Sequence, residues 1–108
     1  MTKTFDLEER TLLFARSCRE FVSHIPKTSV RYEDAKQLIR SSGSIGANYI
    51  EANEALSKKD FVMRLKIARK EAKETIFWLK LVDAPDALIN EATELKKILS
   101  AIIDKSHV

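Results

Sequence analysis

The stretch Arg40-Ser-Ser-Gly-Ser-Ile-Gly-Ala-Asn-Tyr-Ile-Glu-Ala52 contains both glycines of this 108-residue chain, Gly43 and Gly46. Gly and Ser favour turns, yet apolar or small residues continue through the stretch at alternating steps of three and four, which is one face of a helix. This line consists of Tyr32, Ala35, Leu38, Ser42, Ile45, Tyr49, Ala52 and Leu56. Because a glycine in a helix interior costs about 1 kcal/mol relative to alanine, we expect another helix to approach closely here.

The alternative for this stretch is a phosphate-binding loop. Such a loop follows a strand and ends in Gly-Lys-Ser or Gly-Lys-Thr, and neither feature is present, so a helix–helix contact is favoured. Glu71 lies at the edge of the buried line of the next helix, and a partly buried carboxylate needs hydrogen bonds, which Asn48, Ser44 or Arg40 could donate. The residues assigned to this structural contact are Ser42, Gly43, Gly46, Ala47, Asn48 and Glu71.

Start and stop signals divide the chain into four helices. Asp6 is placed to cap the first helix, with a glutamate three residues later, and Pro26 ends that helix. The second helix is predicted from residue 29 or 30 to residue 55. Ser57 is predicted to cap the third helix, and Pro85 separates the third helix from the fourth.

Each of the other three helices also has a line of apolar or small residues. The lines consist of Leu7, Thr11, Phe14, Cys18, Phe21 and Ile25; of Phe61, Leu65, Ala68, Ala72, Thr75, Leu79 and Val82; and of Leu88, Ala92, Leu95, Leu99 and Ile102. Four amphipathic helices with short connections favour antiparallel neighbours. The predicted fold class is therefore all-α, an up-down-up-down antiparallel four-helix bundle, with residues 1–108 as a single domain.

The composition agrees with a helical protein and points to a cellular compartment. Charged residues make up 32% of the chain, which has only two prolines, a composition more typical of helices than of a sheet or a disordered chain. The single cysteine, Cys18, excludes an internal disulfide framework and fits a reducing compartment. No signal peptide and no membrane-spanning run is visible. We therefore expect a soluble, cytoplasmic protein with no membrane partner.

The third helix carries apolar residues on the side opposite its buried line. Met63, Ile67, Phe77 and Leu81 lie about 160–240° around the helix from Phe61. Scattered surface apolar residues are normal, but four on one line suggest a second buried contact. The sequence therefore predicts an oligomer interface, most simply with another copy of this chain.

Positive charge is concentrated in the same helix. Residues 57–83 contain eight basic and four acidic residues, a net charge of +4, whereas the whole chain has +3. The candidate nucleic-acid-binding residues are Lys59, Lys66, Lys73 and Lys80, which recur every seven residues, together with Lys70. Such a row can follow a phosphate backbone. It can equally be a solvated helix face, in which Lys70 pairs with Glu74.

Candidate catalytic residues are few. The only histidines are His24 and His107, no Ser or Thr forms a recognisable nucleophile motif with them, and Cys18 lies on a buried line. Three pairs of glutamates spaced three apart raise the alternative of a di-metal carboxylate bundle, namely Glu51 and Glu54, Glu71 and Glu74, and Glu91 and Glu94. Such sites use Glu-x-x-His on two helices, which the chain lacks. We expect no enzyme activity, no metal and no cofactor.

Two longer motifs resemble a known family. Gln37-Leu-Ile-Arg-Ser-Ser-Gly-Ser-Ile-Gly-Ala-Asn-Tyr-Ile-Glu-Ala52, followed by Lys58-Lys-Asp-Phe61 and Lys70-Glu-Ala-Lys-Glu-Thr-Ile-Phe-Trp-Leu79, is similar to the bacterial 23S rRNA intervening-sequence proteins. Many members have Ile-Ala-Glu-Gly where this chain has Tyr49-Ile-Glu-Ala52, which indicates a variant branch. The resemblance implies a four-helix bundle and a ring of five copies. A distant relative, the accessory protein of diversity-generating retroelements, works with a reverse transcriptase and binds nucleic acid.

Two functions follow as expectations. The first is a non-enzymatic, self-associating helical bundle that binds RNA or DNA without sequence preference through the basic surface of the third helix. The second is a structural or protein-binding oligomeric scaffold with no nucleic-acid role. The sequence does not identify the partner or the biological process.

Overall fold

Four α-helices make up most of the chain in the computed structural model, which describes residues 6–106. They are α1 (Leu7–Ser23), α2 (Val30–Asn53), α3 (Lys58–Leu81) and α4 (Asp86–Lys105), and the described residues contain no strand. The predicted all-α fold with four helices is confirmed. The second helix ends at Asn53, two residues before the predicted end at residue 55.

The first three helices begin with side-chain caps. Asp6 accepts a hydrogen bond from the backbone N–H of Glu9 at 2.8 Å. Ser57 does the same for Asp60 at 3.1 Å. Ser29 caps α2. Because each cap satisfies an N–H that has no partner within its helix, these short polar residues determine where the helices start, as the sequence predicted for Asp6 and Ser57.

The C-terminal end of α3 is closed by a tight turn. Asp83 has a positive φ of 57°, a conformation that Asp tolerates better than most residues. The N–H groups of Asp83 and Ala84 donate to the carbonyls of Lys80 and Leu79 at 3.2 and 2.9 Å, which is the Schellman pattern. Arg31 at the start of α2 donates to the Val82 carbonyl at 2.6 Å, so this turn also joins α2 to α3.

The helices pack in chain order around one core. Each helix contacts the next, and α1 also contacts α4. Asn53 at the end of α2 lies 3.2 Å from Glu8 at the start of α1, and Arg31 at the start of α2 reaches the end of α3. These contacts between opposite ends, together with short connections, fit the predicted up-down-up-down order. A bidentate ion pair from Arg10 to Glu91, at 2.7 and 2.8 Å, holds α1 against α4.

The core consists largely of the predicted lines. Fully buried side chains from all four helices meet there, and Val22 and Ala84 join them, although they lie outside the predicted lines. One predicted core residue is wrong: Leu56 is 100% exposed. It continues the apolar spacing of α2, but the helix has already ended at Asn53, so Leu56 lies in the turn before the Ser57 cap.

Within residues 6–106, none of the helices combines the length and the apolar character required to cross a bilayer.

Candidate functional site

The lysines of α3 form a row along the outside of the molecule. Lys59, Lys66, Lys70, Lys73 and Lys80 are all exposed. Successive members of the seven-residue series are rotated by only about 20° on a straight helix, so the row drifts slowly around α3. The contacts of α3 with its neighbours show which side of the bundle the row occupies, and therefore which other charged side chains lie beside it.

The α3 row runs beside α4, as one contact between the two helices shows. Arg69 Nη1 donates to Ser100 Oγ at 3.4 Å. Lys66 and Lys73 lie three residues before and four after Arg69, and therefore on the same side of α3. The row consequently faces the outer seam between α3 and α4.

The same register brings two lysines of α4 to this seam. Lys96 and Lys97 lie four and three residues before Ser100, on its side of α4. Since α3 and α4 run in opposite directions, these two lysines lie at the level of Lys73. We call Lys66, Arg69, Lys73, Lys96 and Lys97 the α3–α4 basic patch. Sequence reasoning missed the α4 members, because a Lys-Lys pair on a helix carries no signal until the register is known.

None of the lysines of the patch forms an ion pair with another described residue. The ion pairs present across residues 6–106 use Arg10, His24, Lys36 and Arg40. Lys70 does not pair with Glu74, which instead receives a hydrogen bond from Arg40 at 3.1 Å. The electrostatic field of the patch is therefore not cancelled by a neighbouring carboxylate in contact.

The apolar residues predicted for an oligomer interface lie on the outer side of α3. Phe77 is 58% exposed, and Met63 and Leu81 are each 48% exposed. Ile67 is half-buried and lies at the edge of this group. Phe77 packs edge-to-face on Trp78, with ring centroids 5.0 Å apart. We call Met63, Lys70, Phe77 and Leu81 the outer α3 face, because they follow one line along the helix.

The predicted close contact at the glycines exists at one of the two. A Cβ on Gly46 would lie 2.7 Å from Thr11 Oγ1 and 3.1 Å from Thr11 Cβ, so α1 approaches α2 there. A Cβ on Gly43 would meet nothing within 4 Å, and Ala47 is exposed. The assignment of Gly43 and Ala47 to the helix contact is therefore wrong. Gly43 lies about one turn before Gly46 at an exposed position of α2, beyond the reach of α1.

The other small residues of the segment are buried against both neighbouring helices. Ser42 is buried beside Cys18 of α1, and its hydroxyl donates to the carbonyl of Ile39 at 3.2 Å. Ser41 lies 2.9 Å from the hydroxyl of Thr75 on α3. Burial raises the pKa of the Cys18 thiol to about 12, and the neighbouring Ser42 side chain only partly opposes this. Cys18 is thus a buried, inert thiol.

A charged cluster joins α2 to α3 beside these serines. Arg40 lies 3.8 Å from Glu71 and 3.1 Å from Glu74, whose Oε1 also accepts a hydrogen bond from Trp78 at 3.3 Å. Glu71 Oε2 is buried without a hydrogen-bond partner among the described residues. Asn48 does not supply one, because its amide donates to Ser44. Of the donors expected from the sequence, only Arg40 lies close to Glu71.

The two carboxyl groups of this cluster respond in opposite directions. Burial raises the pKa of Glu71 above its ordinary value, and the neighbouring Glu74 raises it further, against the charges of Arg40 and Lys70. Burial alone would also raise the pKa of Glu74, but its interactions with Trp78, Glu71 and Arg40 lower it. Glu71 therefore loses its proton at higher pH than Glu74 does, and the two carboxyl groups form a structural arrangement between two helices.

The other candidate reactive groups do not converge on a site. His24 is exposed and pairs with Glu20 on its own helix at 3.1 Å. The carboxylate of Glu91 forms an ion pair with Arg10. No group of three or more His, Cys, Asp or Glu side chains able to hold a metal ion occurs within residues 6–106. His107 lies outside the described residues.

Comparison with known proteins identifies relatives of this chain. The family model described as 23S rRNA-intervening sequence protein matches residues 3–105. A similar solved structure is that of a protein of unknown function from the S23 ribosomal protein family of Bacteroides thetaiotaomicron, with 35% sequence identity and a TM-score of 0.80 over 91% of this chain and 98% of that chain. None of the curated proteins matches. The chain belongs to the family of 23S rRNA-intervening sequence proteins.

Proposed function

We propose that this protein is a non-enzymatic, self-associating helical bundle that binds RNA or DNA through the α3–α4 basic patch. The observation that carries the proposal is the register of Arg69 and Ser100, which brings Lys73 level with Lys96 and Lys97. Two neighbouring helices thereby present positive charge along one seam. Lys59 and Lys80, both exposed, extend the row towards the two ends of α3.

The chemistry of the patch suits phosphate groups better than base edges. Lysine is a point charge without the planar fork that reads guanine or adenine in a groove. Contacts to phosphate position a protein on nucleic acid without carrying sequence information. We therefore propose binding without marked sequence preference, in the same range of affinity for different sequences.

Self-association is part of this function. One patch has few charges, so its own affinity for nucleic acid is low at physiological salt. Copies held in a symmetric oligomer would engage one strand at several points, which raises avidity without further interactions in any single copy. The partly exposed Met63, Phe77 and Leu81 support self-association, because a line of large apolar side chains favours burial. The proposed stoichiometry is the ring of five copies that the family resemblance implies.

The test of nucleic-acid binding compares two variants of equal net charge. Lys66, Lys73 and Lys97 are replaced by glutamine in the first variant, and Lys27, Lys36 and Lys105 in the second. Fluorescence anisotropy with labelled single-stranded RNA and duplex DNA is recorded over a range of salt. The first variant should bind more weakly, with a log–log salt slope smaller by about 0.7–0.9 for each phosphate that is no longer neutralised. The second should bind almost as wild type does.

Two results would contradict the proposal in different ways. If wild type binds neither RNA nor DNA at low salt, the second candidate applies, a structural or protein-binding scaffold. It is favoured by the large exposed fraction of Phe77 and Met63, which a protein partner could cover as well as another copy. If both variants lose affinity equally, binding depends on overall charge, and the α3–α4 basic patch is not the site.

A further inference from the structure

A hollow of about 400 Å³ lies on the surface where α2 ends and α3 begins. Its apolar wall consists of Ala55, Leu56 and Met63, of which Leu56 is 100% and Met63 48% exposed. Single exposed apolar side chains are normal on a protein surface, but here two large ones line the same concave surface. We call it the α2–α3 hollow. Its wall does not include the neighbouring Lys58 and Lys59.

The rim of the α2–α3 hollow is acidic. Glu51 and Glu54 at the end of α2 and Asp60 in the first turn of α3 contribute to it, and all three are exposed. Among residues 6–106, Arg64 is the only basic side chain that lines the hollow, and none of the three carboxylates is part of an ion pair. Three carboxylates and one guanidinium leave the hollow with a net charge of −2.

The turn that carries Leu56 is held on both sides. The N–H of Ala55 donates to the carbonyl of Ala52 at 3.1 Å, and the side chain of Ser57 accepts from the N–H of Asp60 at 3.1 Å. A second hollow, of about 380 Å³, lies on the other side of Leu56. Leu56 is therefore a ridge between two hollows, held by its backbone although its side chain is not packed. Such preorganisation reduces the conformational entropy that binding costs.

The charge and the apolar wall together define the class of molecule that fits. Unneutralised carboxylates repel nucleic acid and anionic lipid, whereas a positively charged partner is attracted and approaches faster. Leu56 and Met63 are stabilised only if apolar atoms cover them. The same partner must therefore carry apolar side chains next to its cations. A protein segment in which lysine or arginine flanks leucine-like side chains meets both requirements.

We propose that the α2–α3 hollow is a docking site for a basic, apolar segment of another protein. An apolar side chain of the segment packs against Leu56 and Met63, and its lysines or arginines contact the carboxylates of the rim. The hollow lies on the α2 side of α3, whereas the α3–α4 basic patch lies on the other side. One copy can thus hold a protein segment and nucleic acid at the same time, and neither interaction depends on the other.

The test measures the binding of short labelled peptides to the whole protein by fluorescence anisotropy at low salt. The probe peptides consist of lysine and leucine, one with the leucines at helical spacing and one with alternating leucines. In two control peptides, serine replaces every leucine or glutamate replaces every lysine. At least one lysine–leucine peptide should bind. The lysine–serine peptide should bind at least about tenfold more weakly, because it buries no apolar side chain, and the glutamate peptide should not bind measurably.

A first pair of variants tests the apolar wall. Leu56→Ser should lower the affinity for the lysine–leucine peptide about tenfold or more, and circular dichroism should show that it folds as wild type does, because this side chain is fully exposed. Val30→Ser is the matched control. Val30 is also largely exposed, at 85%, but lies at the opposite end of α2, so its replacement should leave the affinity unchanged.

A second pair of variants tests the acidic rim. Glu51→Gln combined with Glu54→Gln should lower the affinity by up to about fivefold for each charge at low salt, and the difference from wild type should shrink as salt is added. Glu20→Gln combined with Glu94→Gln removes the same charge from exposed positions of α1 and α4. This control should bind the peptide more tightly than the rim variant does.

The remaining outcomes would overturn the proposal. If neither lysine–leucine peptide binds, or if Leu56→Ser and the rim variant bind as wild type does, the hollow is not the site. If Leu56→Ser reduces the sedimenting mass of the protein, a second copy covers the hollow instead. A loss of RNA affinity in Leu56→Ser would assign the hollow to nucleic acid. The variant with glutamine at positions 66, 73 and 97 should still bind the peptide, so failure of this inference and failure of the proposed function are measured separately.

Discussion

Gly46 on α2 lies so close to Thr11 on α1 that a Cβ atom added to the glycine would approach the threonine hydroxyl to 2.7 Å. The hydroxyl cannot move without loss, because it donates to the carbonyl of Glu8 at 2.9 Å. Thr11 is itself buried. The two helices are therefore held at a separation that only a residue without a side chain permits.

This contact predicts opposite effects for the two glycines. Gly46→Ala should lower the free energy of unfolding by about 1–3 kcal/mol, the range for overpacking a well-packed contact. Gly43→Ala, where a Cβ meets nothing within 4 Å, should raise it by about 0.5–1 kcal/mol through helix propensity. Urea unfolding followed by circular dichroism measures both. Equal effects of the two substitutions would show that the Thr11 contact does not constrain α2.

A second pair of substitutions tests where the core ends. Ile45 is fully buried, and Leu56 is fully exposed, although both continue the same apolar spacing. Ile45→Ala should cost about 2–5 kcal/mol in the free energy of unfolding. Leu56→Ala should stay within about 0.5 kcal/mol of wild type. A large loss of unfolding free energy in Leu56→Ala would mean that this leucine is covered in the assembled protein. The same measurement on the monomer would then show a loss within about 0.5 kcal/mol.

The features that the sequence predicted are those determined locally. Caps such as Asp6 and Ser57 and the apolar line of each helix depend on residues within a few positions. Gly43 and Gly46 look alike in sequence, and only the approach of α1 distinguishes them. Likewise, the proximity of Lys73 and Lys97 depends on the register of two antiparallel helices, which Arg69 and Ser100 reveal. The spacing of residues along one helix does not reveal how that helix is aligned with its neighbour.

Cys18 should react very slowly with alkylating reagents in the folded protein. Its side chain has no exposed surface, and burial raises its pKa from 9.0 to about 12. Since only the thiolate reacts, this shift alone should slow alkylation near pH 8 about a thousandfold relative to the unfolded chain. Iodoacetamide modification followed by mass spectrometry, with and without urea, measures the ratio. Comparable rates in both conditions would show that α1 and α2 separate readily at Ser42.

Glu71 and Glu74 should shape the dependence of stability on pH from opposite sides. The pKa of Glu71 is raised in the folded state, mainly by burial, so its ionisation opposes folding. The stability associated with a protonated Glu71 is complete below the unfolded value of 4.5 and is lost as the pH rises through the raised pKa. The pKa of Glu74 is lowered, so its contribution is present above 4.5 and is lost as the pH falls through the lowered pKa.

Two single substitutions separate these contributions. Glu71→Gln keeps a neutral side chain of the same shape beside Glu74, so the fall in the free energy of unfolding above pH 4.5 should become smaller than in wild type. Glu74→Gln removes the negative charge that Arg40 and Trp78 contact, so the fall at acidic pH should become smaller instead, at the expense of lower stability near neutrality. Urea unfolding from about pH 2 to about pH 8 gives both profiles. If Glu71→Gln leaves the profile parallel to that of wild type, Glu71 is ionised in the folded protein, and Arg40 at 3.8 Å compensates its buried charge.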